Sequence, residues 1–265
     1  SGALAALSAK HSDNRVAIAK RLVGLLGSRV PERAVRVLSA ISDMCVDNIA
    51  NQIAIAKAGG IAPLITWSSG GLDRFSFSAD AQREAARAIL SLATNNGATQ
   101  VQIAKLGGIP QLIELISKSM LETQEFAARA LWHIAGNDES KLIIAESGGI
   151  PPLVAMLSVN DTHAQELAAV VIARMSRSNE AVSLAIARAG GIVPLVNLVK
   201  TDKSPIAQMQ AAAAIAEVGS VTANRNALAE AGGIQSLVAC LSSAVLGTPE
   251  TAALALSRLA RDEAE

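Results

Sequence analysis

Ile186-Ala187-Arg188-Ala189-Gly190-Gly191-Ile192-Val193-Pro194-Leu195 joins two apolar runs through a glycine pair, and the junction recurs along the chain. Gly-Gly-Ile stands at 59–61, 107–109, 148–150, 190–192 and 232–234, with successive copies offset by 48, 41, 42 and 42. Self-similarity at a period of 20–50 residues marks a solenoid or array. Each unit can be read physically. A short helix ends at the first glycine, which takes the left-handed backbone that terminates helices. A proline shortly after the pair, as at Pro63, Pro110 and Pro194, suits the first turn of a second helix, where its missing N–H costs nothing. A longer third helix follows, for example Thr123 to Ala135. Its apolar residues Phe126, Ala127, Ala130, Leu131 and Ile134 recur at the three-to-four spacing of an amphipathic helix. A polar turn such as Gly136-Asn137-Asp138 leads into the next unit.

This beat makes the whole chain, 1–265, one all-α domain of about six three-helix repeats. Residues 1–13 read as the tail of a third helix from a partial repeat. Repeats follow at 14–50, 51–97, 98–137, 138–178, 179–222 and 223–265. The first is degenerate, with Lys20-Arg21-Leu22-Val23 where its neighbours carry the glycine junction. The second holds about six extra residues, in the loop Gly70 to Ala79. Terminal repeats of a solenoid need polar outer faces. The Ala- and Leu-rich start has none, so the chain is expected to be a fragment of a longer array.

Composition agrees. Hydrophobic residues make up 51% of the 265, yet aromatics only 2%, so Ala, Leu, Ile and Val carry the apolar content. That mixture favours helices over sheets. Lys and Arg equal Asp and Glu at 23 each, which gives no global pull toward nucleic acid or an anionic membrane. Cys45 and Cys240 lie about four repeats apart, roughly 40 Å at ~10 Å per helix layer, too far to pair. A reducing, intracellular compartment is expected, cytoplasmic or nuclear. No apolar run is long enough to span a bilayer, so no membrane insertion is expected.

No catalytic signature is present. Gly-x-Ser-x-Gly, the phosphate-binding Gly-x-x-x-x-Gly-Lys-Ser/Thr and His-Glu-x-x-His are all missing. His11, His133 and His163 fall in different repeats with no shared pattern, and metal ligands converge. The glycine pairs lack a lysine partner and read as helix–helix turns rather than phosphate cradles. The expectation is therefore no enzyme, no metal and no cofactor.

Three helices, a period of about 42 and this glycine junction resemble the armadillo repeat family over essentially the whole chain. The resemblance implies a right-handed superhelical solenoid whose third helices line a concave surface, and a protein-interaction scaffold that holds an extended partner segment there. In armadillo proteins that carry nuclear-import cargo, the third helix bears a Trp and, four residues on, an Asn that grips the peptide backbone. Here the Asn column reads Ala40, Ser91, His133, Arg174, Glu217 and Arg258. The Trp column reads Arg36, Arg87, Arg129, Val170, Ala213 and Leu254. Neither Asn nor Trp is present in its column, and Ala, Arg and Glu cannot both donate to and accept from a backbone. Nuclear-import recognition is not carried over.

Arginines take over instead. Arg36, Arg87 and Arg129 share one column in three successive repeats; Arg174 and Arg258 sit in the other, beside His133. A ladder of guanidinium groups can grip carboxylates or phosphates bidentately, which points to an acidic partner segment. A second reading stands beside it. Glu32, Glu125, Glu166 and Glu250 lie one turn earlier on the same stripe, and Glu84 precedes Arg87 by three, so intrahelical pairs can absorb the arginines. Trp132 is a further candidate contact, with inter-repeat packing as its alternative. Trp67, Phe75 and Phe77 cluster around the insert, where they either meet a partner or fill space beside the degenerate first repeat. The alternative function is a nucleic-acid-binding or nuclear-transport-receptor module, against which the neutral charge and the missing asparagines both argue.

Overall fold

The computed structural model describes residues 12–27, 30–70, 78–200, 204–243 and 245–260. These residues hold seventeen helices and no strand. Two compact units emerge, Ser1–Ile143 and Ile144–Glu265. In the first lie α1 (Ser12–Leu25), α2 (Pro31–Cys45), α3 (Ile49–Lys57), α4 (Ile61–Ser68), α5 (Ala79–Ala93), α6 (Gly97–Lys105), α7 (Gly108–Lys118) and α8 (Leu121–Ile134); α9 (Asp138–Glu146) straddles the division. The second holds α10 (Ile150–Met156), α11 (Thr162–Ser176), α12 (Glu180–Arg188), α13 (Ile192–Val199), α14 (Pro205–Val218), α15 (Thr222–Glu230), α16 (Gly233–Cys240) and α17 (Thr248–Leu259). The third helices α2, α5 and α8 pack side by side in the first unit, and α11, α14 and α17 do so in the second. The third helix expected at Thr123 to Ala135 is α8, which starts slightly earlier and ends at Ile134.

The two glycines of each junction do different work. The first takes positive φ in all five copies: 78° at Gly59, 80° at Gly107, 74° at Gly148, 81° at Gly190 and 78° at Gly232. The second is small because its neighbours leave no room. A Cβ on Gly191 would stand 3.0 Å from the Ile186 carbonyl oxygen and 3.2 Å from Val154 Cγ2 of the preceding repeat. Gly108 meets Ile65 in the same way, and Gly233 meets Val196. Each of these second helices thus drives one β-branched side chain onto the bare glycine of the next repeat.

That contact explains a gradient in burial. Ile61, Ile109, Ile150 and Ile192 are buried, whereas Ile234 is 40% exposed. Val196 is 0% exposed and its counterpart Val238 is 52% exposed; Val199 is likewise buried where Leu241 is open. Among the described residues no further repeat covers α16, so the same column changes from core to surface.

The turns from third to first helices are built from polar side chains. Asn48, Asn96, Asn137 and Asn179 cap α3, α6, α9 and α12, each accepting from a backbone N–H in the first turn. First helices also reach back to the carbonyls that end the preceding third helix. Asn51 Nδ2 donates to Met44 O at 2.6 Å, Gln100 Nε2 to Ala93 O at 2.8 Å, and Asn224 Nδ2 to Val218 O at 2.9 Å. These bonds satisfy C-terminal carbonyls that no helix can satisfy by itself.

The degenerate first repeat departs from the three-helix plan. Without a glycine pair, α1 runs unbroken through positions 20–23, and Val23 supplies the contact to Gly60 that a second helix makes elsewhere. Trp67 fills the neighbouring space: it is buried, and its Nε1 donates to Leu26 O at 3.0 Å. Space-filling is therefore the role of this aromatic. Phe75, Phe77, His11 and most of the partial repeat at the start lie outside the described residues.

Candidate functional site on the third helices

Arg36, Arg87 and Arg129 fall on α2, α5 and α8, three helices packed in succession, so the column is continuous in space. Their surroundings differ. Arg36 is exposed and forms no ion pair with a described residue. Arg87 is half-buried; one nitrogen binds Glu84 at 3.0 Å, and another contacts Asp43 on α2. Arg129 is exposed and meets Glu125, four residues earlier, at 3.5 Å. The intrahelical pairing expected from sequence thus holds for Arg87 and Arg129 and not for Arg36. Around Arg87 the charges extend sideways: Arg83 joins Asp80 at 3.0 Å and Glu84 at 3.4 Å, and reaches Glu122 of α8 at 3.8 Å. Half-exposed pairs of this kind contribute little individually, about 0.2–1 kcal/mol. Their effect is to occupy Arg87.

Trp132 and His133 lie adjacent on α8, both half-buried, with ring centroids 5.0 Å apart in an edge-to-face arrangement. His133 therefore belongs to an aromatic pair.

The second unit carries Arg174 on α11 and Arg258 on α17, with Glu217 of α14 in the same column between them. Arg258 Nη1 lies 2.7 Å from Glu217 Oε2, and Arg177 Nε lies 3.8 Å from Oε1. Arg258 is thus engaged across repeats, by the third helix that precedes its own. Burial, and then the charge of Arg177, hold the Arg174 guanidinium below its ordinary range. Arg225 donates from Nε to Gly219 O at 3.3 Å. With Ser178, Ser220, Glu217 and Arg258 it walls a cavity of about 250 Å³. Sequence reasoning missed Arg177 and Arg225, which lie outside the two columns. The local signal was there, in Arg174 and Arg177 one turn apart at the end of one helix.

Both cysteines are buried and free. Burial pushes the Cys45 thiol up to about 12, and raises Cys240 as well. At pH 8 the Cys45 thiolate fraction is on the order of one in ten thousand, and the thiolate is the nucleophile. Native protein incubated with iodoacetamide at pH 8 should leave Cys45 unlabelled by mass spectrometry, and denatured protein should label fully. Rapid native labelling would contradict the packing of α2. No single described helix is long and apolar enough to cross a membrane.

Paired short helices and a packed layer of third helices, repeated along the chain, define a helical-repeat protein. The sequence signature of the Armadillo/beta-catenin-like repeat matches residues 95–136 and 137–177. No curated protein matches closely enough to count as a relative. Among solved structures, an engineered protein is 30% identical, with a TM-score of 0.83 over 91% of this chain and 96% of its own. A designed armadillo repeat protein is 25% identical, with a TM-score of 0.80 over 91% and 99%. Another, solved in complex with the peptide (KR)4, is 25% identical, with a TM-score of 0.82 over 91% and 98%. The chain belongs to the armadillo repeat family.

Proposed function

We propose that the chain is a non-enzymatic interaction scaffold that takes an extended, acidic segment of another protein along its third-helix surfaces. The observation that carries this reading is Arg36: an exposed guanidinium in the column where a partner would lie, with no carboxylate among the described residues to hold it. Arg129, exposed and loosely paired, adds a second point two repeats on. A designed relative that accepts a Lys/Arg peptide supports the peptide-binding mode. The arginines here favour the opposite ligand charge. The buried free thiols support an intracellular, reducing location.

The test is a charge reversal that spares Arg87, whose removal would take from Asp43 its ion-pair partner. Arg36→Glu with Arg129→Glu should weaken binding of a poly-Glu peptide by about tenfold or more, because like charges then face each other. Wild type should prefer poly-Glu to poly-Lys in fluorescence anisotropy. Unchanged affinity in the double variant would sink the ladder. Tight, steeply salt-dependent binding to generic RNA or DNA would overturn the protein-partner reading.

A further inference from the structure

The residue seven positions after the second glycine of each junction is buried in all five copies: Trp67, Leu115, Met156, Leu198 and Cys240. Trp67 is the largest of these side chains and Cys240 the smallest. The two stand at matching places. Val23 meets Gly60 as Val196 meets Gly233, and three residues beyond each valine lie Leu26 and Val199. Trp67 Nε1 donates to Leu26 O at 3.0 Å, while the Cys240 thiol lies 3.8 Å from Val199 O. The last repeat makes the stronger hydrogen bond by another route. Gln208, four residues after the N-cap Ser204, donates from Nε2 to Val199 O at 2.9 Å. At that position α2 has Ala34, four residues after its N-cap Val30. The carbonyl is thus served in both repeats, and only the ring is missing from the last.

Its space is open. Cavities of about 250 and 290 Å³ lie beside Leu115 and Leu198, and one of about 410 Å³ lies beside Cys240. Ligand pockets begin at roughly 300 Å³. The Cys240 cavity opens to solvent, and its walls include apolar Val199, Pro205 and Val245 and the cation of Lys200. Two of its serines already turn their hydroxyls to backbone carbonyls, Ser236 to Gly232 O at 2.7 Å and Ser242 to Ala239 O at 3.0 Å. Lys200 is exposed and meets Ala231 O at a long 3.5 Å. An ammonium within ~6 Å of an aromatic ring's centre is attracted to the face of the ring. A carboxylate would answer Lys200 and leave the apolar walls uncovered. A leucine would cover the walls and leave Lys200 unanswered. An aromatic ring does both.

We propose that this cavity, between the end of α13, the start of α14 and α16, takes an aromatic side chain presented by a partner protein. The incoming ring occupies the place that Trp67 fills from within the chain in the first unit. The proposal rests on the partner-binding reading only in that the ring arrives on a protein. The Arg36 and Arg129 ladder belongs to the other unit and is read with poly-Glu, so either can fail alone.

The experiment follows the valine methyl groups of the intact 265-residue chain by nuclear magnetic resonance. The probes are a capped Ala-Ala-Trp-Ala-Ala peptide and twins with Leu or Glu in place of Trp. Saturable shifts at Val199 and Val245 are expected with the Trp peptide, at an affinity about fivefold above that of either twin. Lys200→Gln should weaken the Trp peptide by about threefold, the scale of an exposed cation–aromatic contact. Cys240→Trp should fill the cavity from within, raise the melting temperature and abolish the titration. The proposal fails if the Trp peptide does not titrate Val199 and Val245, or if either twin binds as tightly. It also fails if Lys200→Gln leaves the affinity unchanged, or if folded Cys240→Trp still binds the peptide. Should Cys240→Trp not fold, the twins and Lys200→Gln, a substitution at an exposed side chain, decide the question by themselves.

Discussion

Val196→Asp should destabilise the second unit by roughly 3–5 kcal/mol, the usual cost of an uncompensated charge in an apolar interior. Val238→Asp, at the same position of the next repeat, should stay within about 0.5 kcal/mol. The two side chains belong to one column and differ in what covers them. Val196 is wholly buried, and its Cγ2 would lie 3.3 Å from a Cβ on Gly233. No donor in that contact could satisfy a carboxylate. Burial would push the introduced aspartate's pKa above its unfolded value, so the native state would bind more protons than the unfolded one. Stability of Val196→Asp should therefore fall as pH rises from about 4 to 7, while that of Val238→Asp should change little. Urea melts followed by circular dichroism at the two pH values would check both. Equal losses at the two positions would contradict the stacking contact between α13 and α16.

Trp67→Ala should cost about 3–5 kcal/mol, the range for truncating a large buried aromatic. The indole is 1% exposed and links α4 to the end of α1 through its bond to Leu26 O. Truncation leaves a cavity and an unsatisfied carbonyl together. Trp67→Phe separates the two: most of the volume stays, the bond goes, and the loss should shrink to about 1–3 kcal/mol. Thermal melts followed by far-ultraviolet circular dichroism report both. A loss below about 1 kcal/mol for the alanine variant, well under the usual cavity cost, would mean that the first repeat does not depend on this side chain.

How much of this was legible beforehand depends on the distance over which each cause acts. The glycine beat is local chemistry. Positive φ at Gly190 and the tight approach at Gly191 both leave traces in the sequence, so the repeats and their helices could be counted directly. The length of α1 was less legible: a missing glycine pair leaves a helix with no signal to stop, and α1 continues. The arginine column was readable as a pattern, but its state was not. Arg87 is taken up by Asp43 and Arg258 by Glu217, each partner standing on the third helix one repeat back. Such partners are set by which helices lie side by side, and no i,i+4 rule applied within one helix can find them. Arg36 emerges as the open member only once those neighbours are in place. The cavity at Arg225 went unseen because its walls come from three helices and two turns.

The hydrogen bonds that first helices send back to the preceding third helix bear on how such a chain is cut and spliced. Cutting the chain at its polar turns, as in repeats 51–97 and 98–137, places the seam between repeats at the turn after the third helix. That turn is where Asn51 holds Met44, Gln100 holds Ala93 and Asn224 holds Val218. A graft exchanged at that seam would sever the side-chain bonds on both of its flanks. Exchanged instead between a second and a third helix, as from Ser78 to Ser119, it carries its own cap at Asn96 and its own bonds from Thr99 and Gln100 to Leu92 and Ala93. The part that keeps these bonds is thus a third helix with the two short helices that follow it, out of phase with repeats cut at the polar turns. It stays tied to the preceding repeat through Gln52, which donates to Ser91 O at 2.8 Å.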